Sequence, residues 1–345
     1  MKQGGGMFKE WAKNIFCRQI FRLKVNEVSC LPKLSVIVPV YNEKAEYIQR
    51  AISSLINQQF QNIEIIIVDD GSDKKETLEF LTKIRQDNIK VLHKKNGGLG
   101  SARNYGLAYA RGKVIGFLDA DDWVEDDFYL ELMTLLVQHN SDMACGVLYC
   151  NGKKYDKFPC CTLVDAEKKL KLINNGSVCS KIFKKELFNG VNFPEDGIYY
   201  EDNPVLLKLL LKASKVSFNN CAKYNYFTNN QSITHNKEKE EKRIKDSVIV
   251  LLQIKNWSNG YDEKIRNLIM EVSGRILFRA CSYVRDEMYR RQMDNIFTSK
   301  QINSFLETKY TLGQRIFSFK NSKDKSHKIM TFFGLHIKIK RKANA

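Results

Sequence analysis

Between residues 34 and 118 the chain repeats one pattern: a short unbroken apolar run, a polar turn, then a segment with apolar residues at helical spacing. The runs are Leu34–Val40 (LSVIVPV), Ile63–Val68, Ile89–Leu92 and Val114–Leu118. Runs this short, without polar alternation, are expected of strands covered on both faces. After the first run, Tyr47, Ile48, Ala51, Ile52, Leu55 and Ile56 stripe residues 46–58; after the second, Thr77, Leu78, Leu81 and Ile84 do the same. A glycine-rich turn after the third opens a helix reaching about Ala110. Strands alternating with helices predict βαβ units, a parallel sheet and right-handed crossovers. Pro39 has no N–H to give a ladder, so it marks the exit of the first strand from the sheet.

In sheets of this kind ligands bind beyond the carboxyl ends of the strands. Those ends carry Tyr41-Asn42, Asp69-Asp70, Gly97-Gly98 and the Asp119-Ala120-Asp121 triplet. On an extended chain residues i and i+2 project to one side, so Asp119 and Asp121 converge. Hard oxygens without His or Cys suit Mg²⁺ or Mn²⁺ bridging to a diphosphate. Asp69, Asp70 and Ser72 are also good helix caps, but capping does not require acids after both apolar strands. A second acidic group, Glu201-Asp202, precedes Pro204. Proline fits a first helical turn, and a helix N-terminus favours the ionised carboxylate a general base needs. Capping acids alone are the plainer reading of that pair.

Together with Ser180-Lys181, Phe193–Glu195 (FPE) and Ser232–Thr234 (SIT), the segments Leu34–Asn42, Val68–Ser72 (VDDGS), Gly97–Gly106 (GGLGSARNYG) and Phe117–Trp123 (FLDADDW) form an ordered series. The series resembles the signatures of the inverting glycosyltransferase family 2 of bacterial cell-surface polysaccharide synthesis, over residues 33–235. The resemblance implies an α/β GT-A fold: a Rossmann-like, mostly parallel central sheet flanked by helices, here with a helical C-terminal appendage. It also implies a nucleoside-diphosphate-sugar donor, a glycan or lipid-linked glycan acceptor, and Mn²⁺ or Mg²⁺. By the same resemblance Pro39, Tyr41, Asn42, Asp70, Arg103, Asp119, Ala120 and Lys181 would bind the donor. Tyr41 would lie against the base, and Asp70 would accept a hydrogen bond from it. An acidic acceptor matches the imide N–H of uracil, which favours UDP. Asp121 would hold the metal, with Asp119 and His235 as further ligands. Asp202, flanked by Glu201, would take the proton from the acceptor hydroxyl. Two alternatives stay open. Arg103 is either a phosphate contact or a helix-surface arginine bonded to a nearby acid, and Lys181 either faces a phosphate or sugar or is a surface lysine. Cys179 and Phe227 stand where the family commonly has tryptophan and arginine, a departure that bears on acceptor recognition.

The +17 net charge is uneven: residues 1–33 contribute +5 and 315–342 contribute +8, leaving +4 for the rest. A near-neutral body with basic ends argues against a nucleic-acid partner running through the centre. Phe8, Trp11, Ile15, Phe16, Ile20 and Phe21 among Lys9, Lys13, Arg18 and Arg22 resemble a basic amphipathic helix for a lipid interface. The tail from Ile329 begins apolar and then alternates, as a short hairpin or a strand with a basic end would. Each basic residue near an anionic leaflet contributes about 1 kcal/mol, enough for reversible membrane attachment, unless both ends pack on the domain. No apolar window is long enough to span a bilayer and no signal-peptide core is present. Nine cysteines, none spaced Cys-x-x-Cys, point to reduced thiols. The expected location is therefore cytoplasmic, peripheral at the inner face of the membrane.

The organisation expected is a basic amphipathic segment over 1–32, a GT-A catalytic domain over 33–236, a helical appendage over 237–312 and a basic tail over 313–345. The catalytic domain divides into a nucleotide-binding half, 33–123, and an acceptor half, 124–236. Apolar stripes from Val248 to Ile254 and from Ile265 to Ala280 make the appendage helical, packed on the catalytic domain or on a second copy of the chain. The function implied is sugar transfer to a glycan hydroxyl in lipopolysaccharide or capsule synthesis. A nucleotidyltransferase would instead carry a glycine-rich, lysine-containing loop after its first strand, where this chain has Pro39–Glu43 (PVYNE). A basic nucleic-acid- or membrane-binding protein without catalysis is the other alternative; nucleic-acid binding predicts base-stacking aromatics interleaved with the basic run, for which Phe332 and Phe333 are poor candidates.

Overall fold

A computed structural model describes residues 33–156, 159–195, 197–228, 239–280, 293 and 296–297, with the backbone of three strands between 317 and 340. The first apolar run is β1 (Leu34–Val40), buried along its whole length. It pairs in parallel with β2 (Ile63–Asp69) on one side and β4 (Val114–Phe117) on the other, and β3 (Ile89–His93) lies in parallel beyond β2. The crossovers are α1 (Ala45–Ile56), α2 (Lys75–Lys83) and α3 (Leu99–Tyr109). Burial of Ile48, Ala51, Ile52 and Leu55 explains the helical spacing read between the first two runs.

Pro39 departs from expectation, because it lies inside β1, opposite Val68 of β2. The ladder with β4 ends at Ile37 and Phe117, and the Leu118 N–H then donates to the Ile37 carbonyl at 3.1 Å. Alternate residues of a strand aim their backbone groups at the same neighbour, so position 39 faces the β4 side just past its last rung. The missing N–H therefore removes no ladder bond.

Beyond β4 the sheet becomes mixed. β5 (Trp123–Val124) and α4 (Phe128–Gln138) lead into β6 (Met143–Cys150). Two short strands, β7 (Lys153–Lys154) and β8 (Cys161–Leu163), and α5 (Ala166–Leu172) precede β9 (Lys181–Lys184). Then come α6 (Asp202–Lys212) and β10 (Val216–Tyr226). The main path runs β3-β2-β1-β4-β9-β6-β10-β5, with β9 antiparallel to both its neighbours and β10 parallel to β6. Phe117 meets Phe183 and Phe193 edge-on, with ring centroids 6.4 and 5.4 Å apart, and these contacts join the two halves.

The appendage expected from the apolar stripes is two helices, α7 (Glu240–Ser258) and α8 (Glu263–Ala280), among the described residues. They pack on the catalytic body, α7 against α6 and α8 against α5. The tail forms a separate antiparallel sheet of β11 (Phe317–Asn321), β12 (His327–Phe332) and β13 (Leu335–Lys340), so the hairpin expected there is present. The amphipathic segment over 1–32 lies outside the described residues, as do Ser232–Thr234 and His235. Among the described residues no helix is long and apolar enough to cross a membrane.

Candidate active site

Four strand ends and the start of α6 build the site. At the end of β1, Tyr41 is 53% exposed, leaving its ring face open to a stacking partner. Asn42, at φ 53°, turns its amide back into the protein: Oδ1 accepts from the Asp73 and Lys74 N–H groups, and Nδ2 donates to Asp73 at 2.8 Å. Asparagine tolerates this left-handed backbone well. Asn42 thus ties the β1 turn to the β2 turn, a bracing role where a direct donor contact was expected.

Asp70 is buried and takes three donors: Lys94 Nζ at 2.6 Å, the Gly97 N–H at 3.0 Å and the Gly98 N–H at 2.8 Å. An ionised carboxylate offers about four acceptor sites, so one remains. Asp70 therefore shapes the glycine turn while keeping capacity for one ligand N–H. Gly98, at φ +86°, is required there, because a Cβ would stand 2.9 Å from the Gly197 Cα. Ala120 is buried, and Pro39 lies beneath the turn within β1.

Asp119 and Asp121 follow β4. Burial, then Asp119, then Glu43 push the Asp121 carboxyl up to about 7. Like charges gathered where water is scarce are what a divalent cation relieves, so the donor set fits Mn²⁺ or Mg²⁺. Among the described residues no group of three or more His, Cys, Asp or Glu is arranged to hold a metal. The turn is locked from below. The Tyr224 hydroxyl accepts from the Asp119 N–H at 3.2 Å and donates to the buried Asp122 at 2.6 Å, and Asp122 also accepts from the Phe227 N–H at 2.7 Å. From α1, Arg50 donates to the Asp121 carbonyl, and its guanidinium lies 4.3 Å from the Trp123 ring and 4.4 Å from the Phe227 ring. The position where the family often has an arginine thus holds a phenylalanine stacked on one.

Arg103 is the hinge of the site. Neither sequence alternative describes it, for it is fully buried. One guanidinium nitrogen bonds Glu201; another donates to Asp119 at 2.9 Å and reaches the Cys179 sulfur at 3.7 Å. A helix residue after the glycine turn therefore joins the acid after β4 to the acids opening α6. Burial pushes Glu201 up to about 7, against the pull of Arg103. Burial likewise raises Asp202, with Arg103 opposing and Asp119 adding to the rise. Tyr200, just before them, sits at φ 66°, a left-handed conformation that costs a bulky residue about 1–3 kcal/mol.

Lys181 is corrected on both counts. It is buried, and its ammonium donates to Ser177 O at 2.6 Å, Ser180 Oγ at 3.1 Å and Asn175 Oδ1 at 3.2 Å. All three protons are used within the protein, so Lys181 shapes the 175–180 loop and offers no free cation to a donor. Sequence reading passed over Asp122, Tyr224 and Arg50. The third acid after β4 was a signal for Asp122, whereas its partner lies 102 residues away.

The family model for Glycosyl transferase family 2 matches residues 35–184. Glycosyltransferase GlyG of Streptococcus pneumoniae is 31% identical over 219 residues, 58% of this chain and 72% of GlyG. This chain belongs to glycosyltransferase family 2. The minor teichoic acid biosynthesis protein GgaB of Bacillus subtilis is 34% identical over 215 residues, 59% of this chain but only 24% of GgaB. The chain thus spans about a quarter of that relative. Among solved structures, S. aureus TarS 1–349 superposes with TM-score 0.56 at 21% identity, covering 90% of this chain and 99% of that one. The same TarS fragment is known with UDP-GlcNAc, at TM-score 0.53. The mannosyltransferase PcManGT from Pyrobaculum calidifontis, solved with GDP-Man and Mn²⁺, matches at TM-score 0.53 and 14% identity over 87% of each chain. These likenesses establish that the chain has the GT-A fold.

Proposed function

We propose that the protein is an inverting, metal-dependent glycosyltransferase that moves a sugar from a UDP-sugar to a hydroxyl of a cell-surface glycan. The observation carrying this reading is the Arg103 bridge, which draws the acid after β4 and the acids opening α6 into one crevice. Donor and acceptor chemistry then meet at one place, as group transfer requires. Tyr41 offers an open ring to the base, and Asp70 has one acceptor position left for an imide N–H. A divalent ion held by Asp121 and Asp119 would neutralise charge growing on the departing diphosphate. His235, outside the described residues, remains the proposed third ligand. TarS binds UDP-GlcNAc and PcManGT binds Mn²⁺ and a nucleotide sugar, which supports donor class and metal for this chain.

Asp202 stands at the first position of α6, where the helix dipole favours its ionised form. Burial raises its basicity above that of an exposed aspartate. A more basic carboxylate takes the acceptor proton more readily as the new bond forms at the anomeric carbon. Attack opposite the leaving diphosphate inverts the configuration. Glu201, engaged with Arg103, steadies the pair. The similarity to GgaB favours an anionic or other surface polymer, in lipopolysaccharide, capsule or wall synthesis, as the destination. The near-neutral body and basic ends support work at the inner membrane face.

The test uses Asp202→Asn. Transfer from UDP-sugars should fall by about 10²–10⁴ while calorimetric UDP binding stays within about twofold. Full activity in this variant would remove the assignment.

A further inference from the structure

We infer that the helical appendage belongs to the catalytic machinery: Asp246 and Lys242 of α7 form a latch that positions the loop carrying Glu201 and Asp202. The inference rests on the reading of Asp202 as the base. Asp246 is buried and accepts the Tyr199 N–H at 2.9 Å, two residues before Glu201. Lys242, one helical turn earlier, pairs with Asp246 at 2.6 Å and donates to the Gly197 carbonyl at 3.0 Å. Its ammonium also lies 4.5 Å from the centre of the Tyr199 ring. Two side chains of one helix thus grip the backbone at 197 and 199 and the ring at 199.

The opposite side of the loop is held by α3. Asn104 donates to the Phe193 carbonyl at 2.9 Å and to Glu195 at 2.8 Å, and accepts the Phe193 N–H at 2.9 Å. A Cβ on Gly100 would lie 1.9 Å from the Pro194 carbonyl oxygen, so helix and loop backbones are in contact. Residues 193–195 are therefore held by the donor-side helix and residues 197–199 by the appendage. The left-handed Tyr200 follows at once. Strained backbone persists only where its surroundings over-determine it. Here the clamps are Asn104 before it, Asp246 and Lys242 beside it, and Arg103 on Glu201 after it. Releasing the appendage side lets Tyr200 relax and moves the carboxylate of Asp202 away from its place opposite Asp119.

The experiment compares full-length Asp246→Ala, Asp246→Asn and Lys242→Met, with the exposed Lys245→Ala on the same helix as control. Three quantities are read: UDP release from a mixture of UDP-glucose, UDP-galactose and UDP-N-acetylglucosamine, UDP affinity by calorimetry, and hydrogen exchange at the Tyr199 amide. Asp246→Ala should lower kcat by about 10–100-fold, the usual scale for a base misplaced by about an ångström. UDP affinity should stay within twofold, and the Tyr199 amide should exchange at least tenfold faster. Asp246→Asn keeps an acceptor for that N–H and should recover most of the rate; Lys242→Met should fall between. Wild-type kcat in Asp246→Ala, or unchanged Tyr199 exchange, overturns the latch. Because exchange is read without turnover, it also separates this failure from failure of the base assignment, which Asp202→Asn alone would expose.

Discussion

Replacing Arg103 with methionine keeps an unbranched stem and removes the guanidinium that joins the two halves of the site. In the native protein that guanidinium faces Asp119, Glu201 and Asp202 in a buried position, with Phe193 5.5 Å from its centre. Removing one partner of a buried ion pair typically costs about 3–5 kcal/mol, because the surviving charges are left uncompensated. The cost depends on pH in a definite direction. Burial holds Glu201 near 7, above its ordinary 4.5, with Arg103 pulling it down. A carboxyl raised in the folded state contributes stability that is complete below its unfolded pKa and is lost as pH rises through the folded value. Without Arg103 the folded value rises further. Below about pH 6 Glu201 carries its proton in both proteins and the difference shrinks; above about pH 8 only the native protein can keep the charge paired. Urea unfolding at pH 6 and pH 8 measures this, and the penalty at pH 8 should exceed that at pH 6 by more than 1 kcal/mol. Adding Glu201→Gln to Arg103→Met should return part of the loss, since it removes an orphaned acid. A penalty independent of pH, or one not relieved by the second substitution, would refute the view of Arg103 as electrostatic hinge.

Asp121→Asn should weaken Mn²⁺ binding measured by calorimetry at least tenfold, since it removes the carboxylate facing Asp119, while UDP alone in the absence of metal binds as before. Gly100→Ala should displace the Pro194 backbone, whose oxygen lies 1.9 Å from the new Cβ, and cut turnover by at least tenfold with a smaller change in melting temperature. Tyr224→Phe strips the buried Asp122 of a donor and the Asp119 N–H of an acceptor, so thermal unfolding should report a loss of about 1–3 kcal/mol.

Much of the architecture was legible in the chain because the signals are local. An apolar run of fixed length makes a covered strand, a 3.6-residue stripe makes a helix, and doubled acids after a strand gather negative charge at its end. The four strand ends, the glycine turn and the acids opening α6 lie where those signals put them. Side chains whose partner lies far along the chain were not legible. Arg103 reads from sequence as a phosphate contact or a helix-surface residue, because nothing near it shows that Glu201, 98 residues on, closes over it. Lys181 is different: its three oxygens lie within six residues, but they belong to a loop with no periodic signature, so their convergence on the ammonium is not legible either. Asn42 read as a ligand contact, whereas its amide is occupied by the turn after β2.

The order of elements, the acidic chemistry at the strand ends and the basic character of both termini were determined by the sequence itself, since periodicity and charge are properties of short segments. Only the folded molecule decided that one buried guanidinium joins the acid after β4 to the acids opening α6, and that α7 bonds the backbone just before them. Both depend on pairing across distant segments, and the free energy of a buried charge is set by whatever tertiary packing brings beside it.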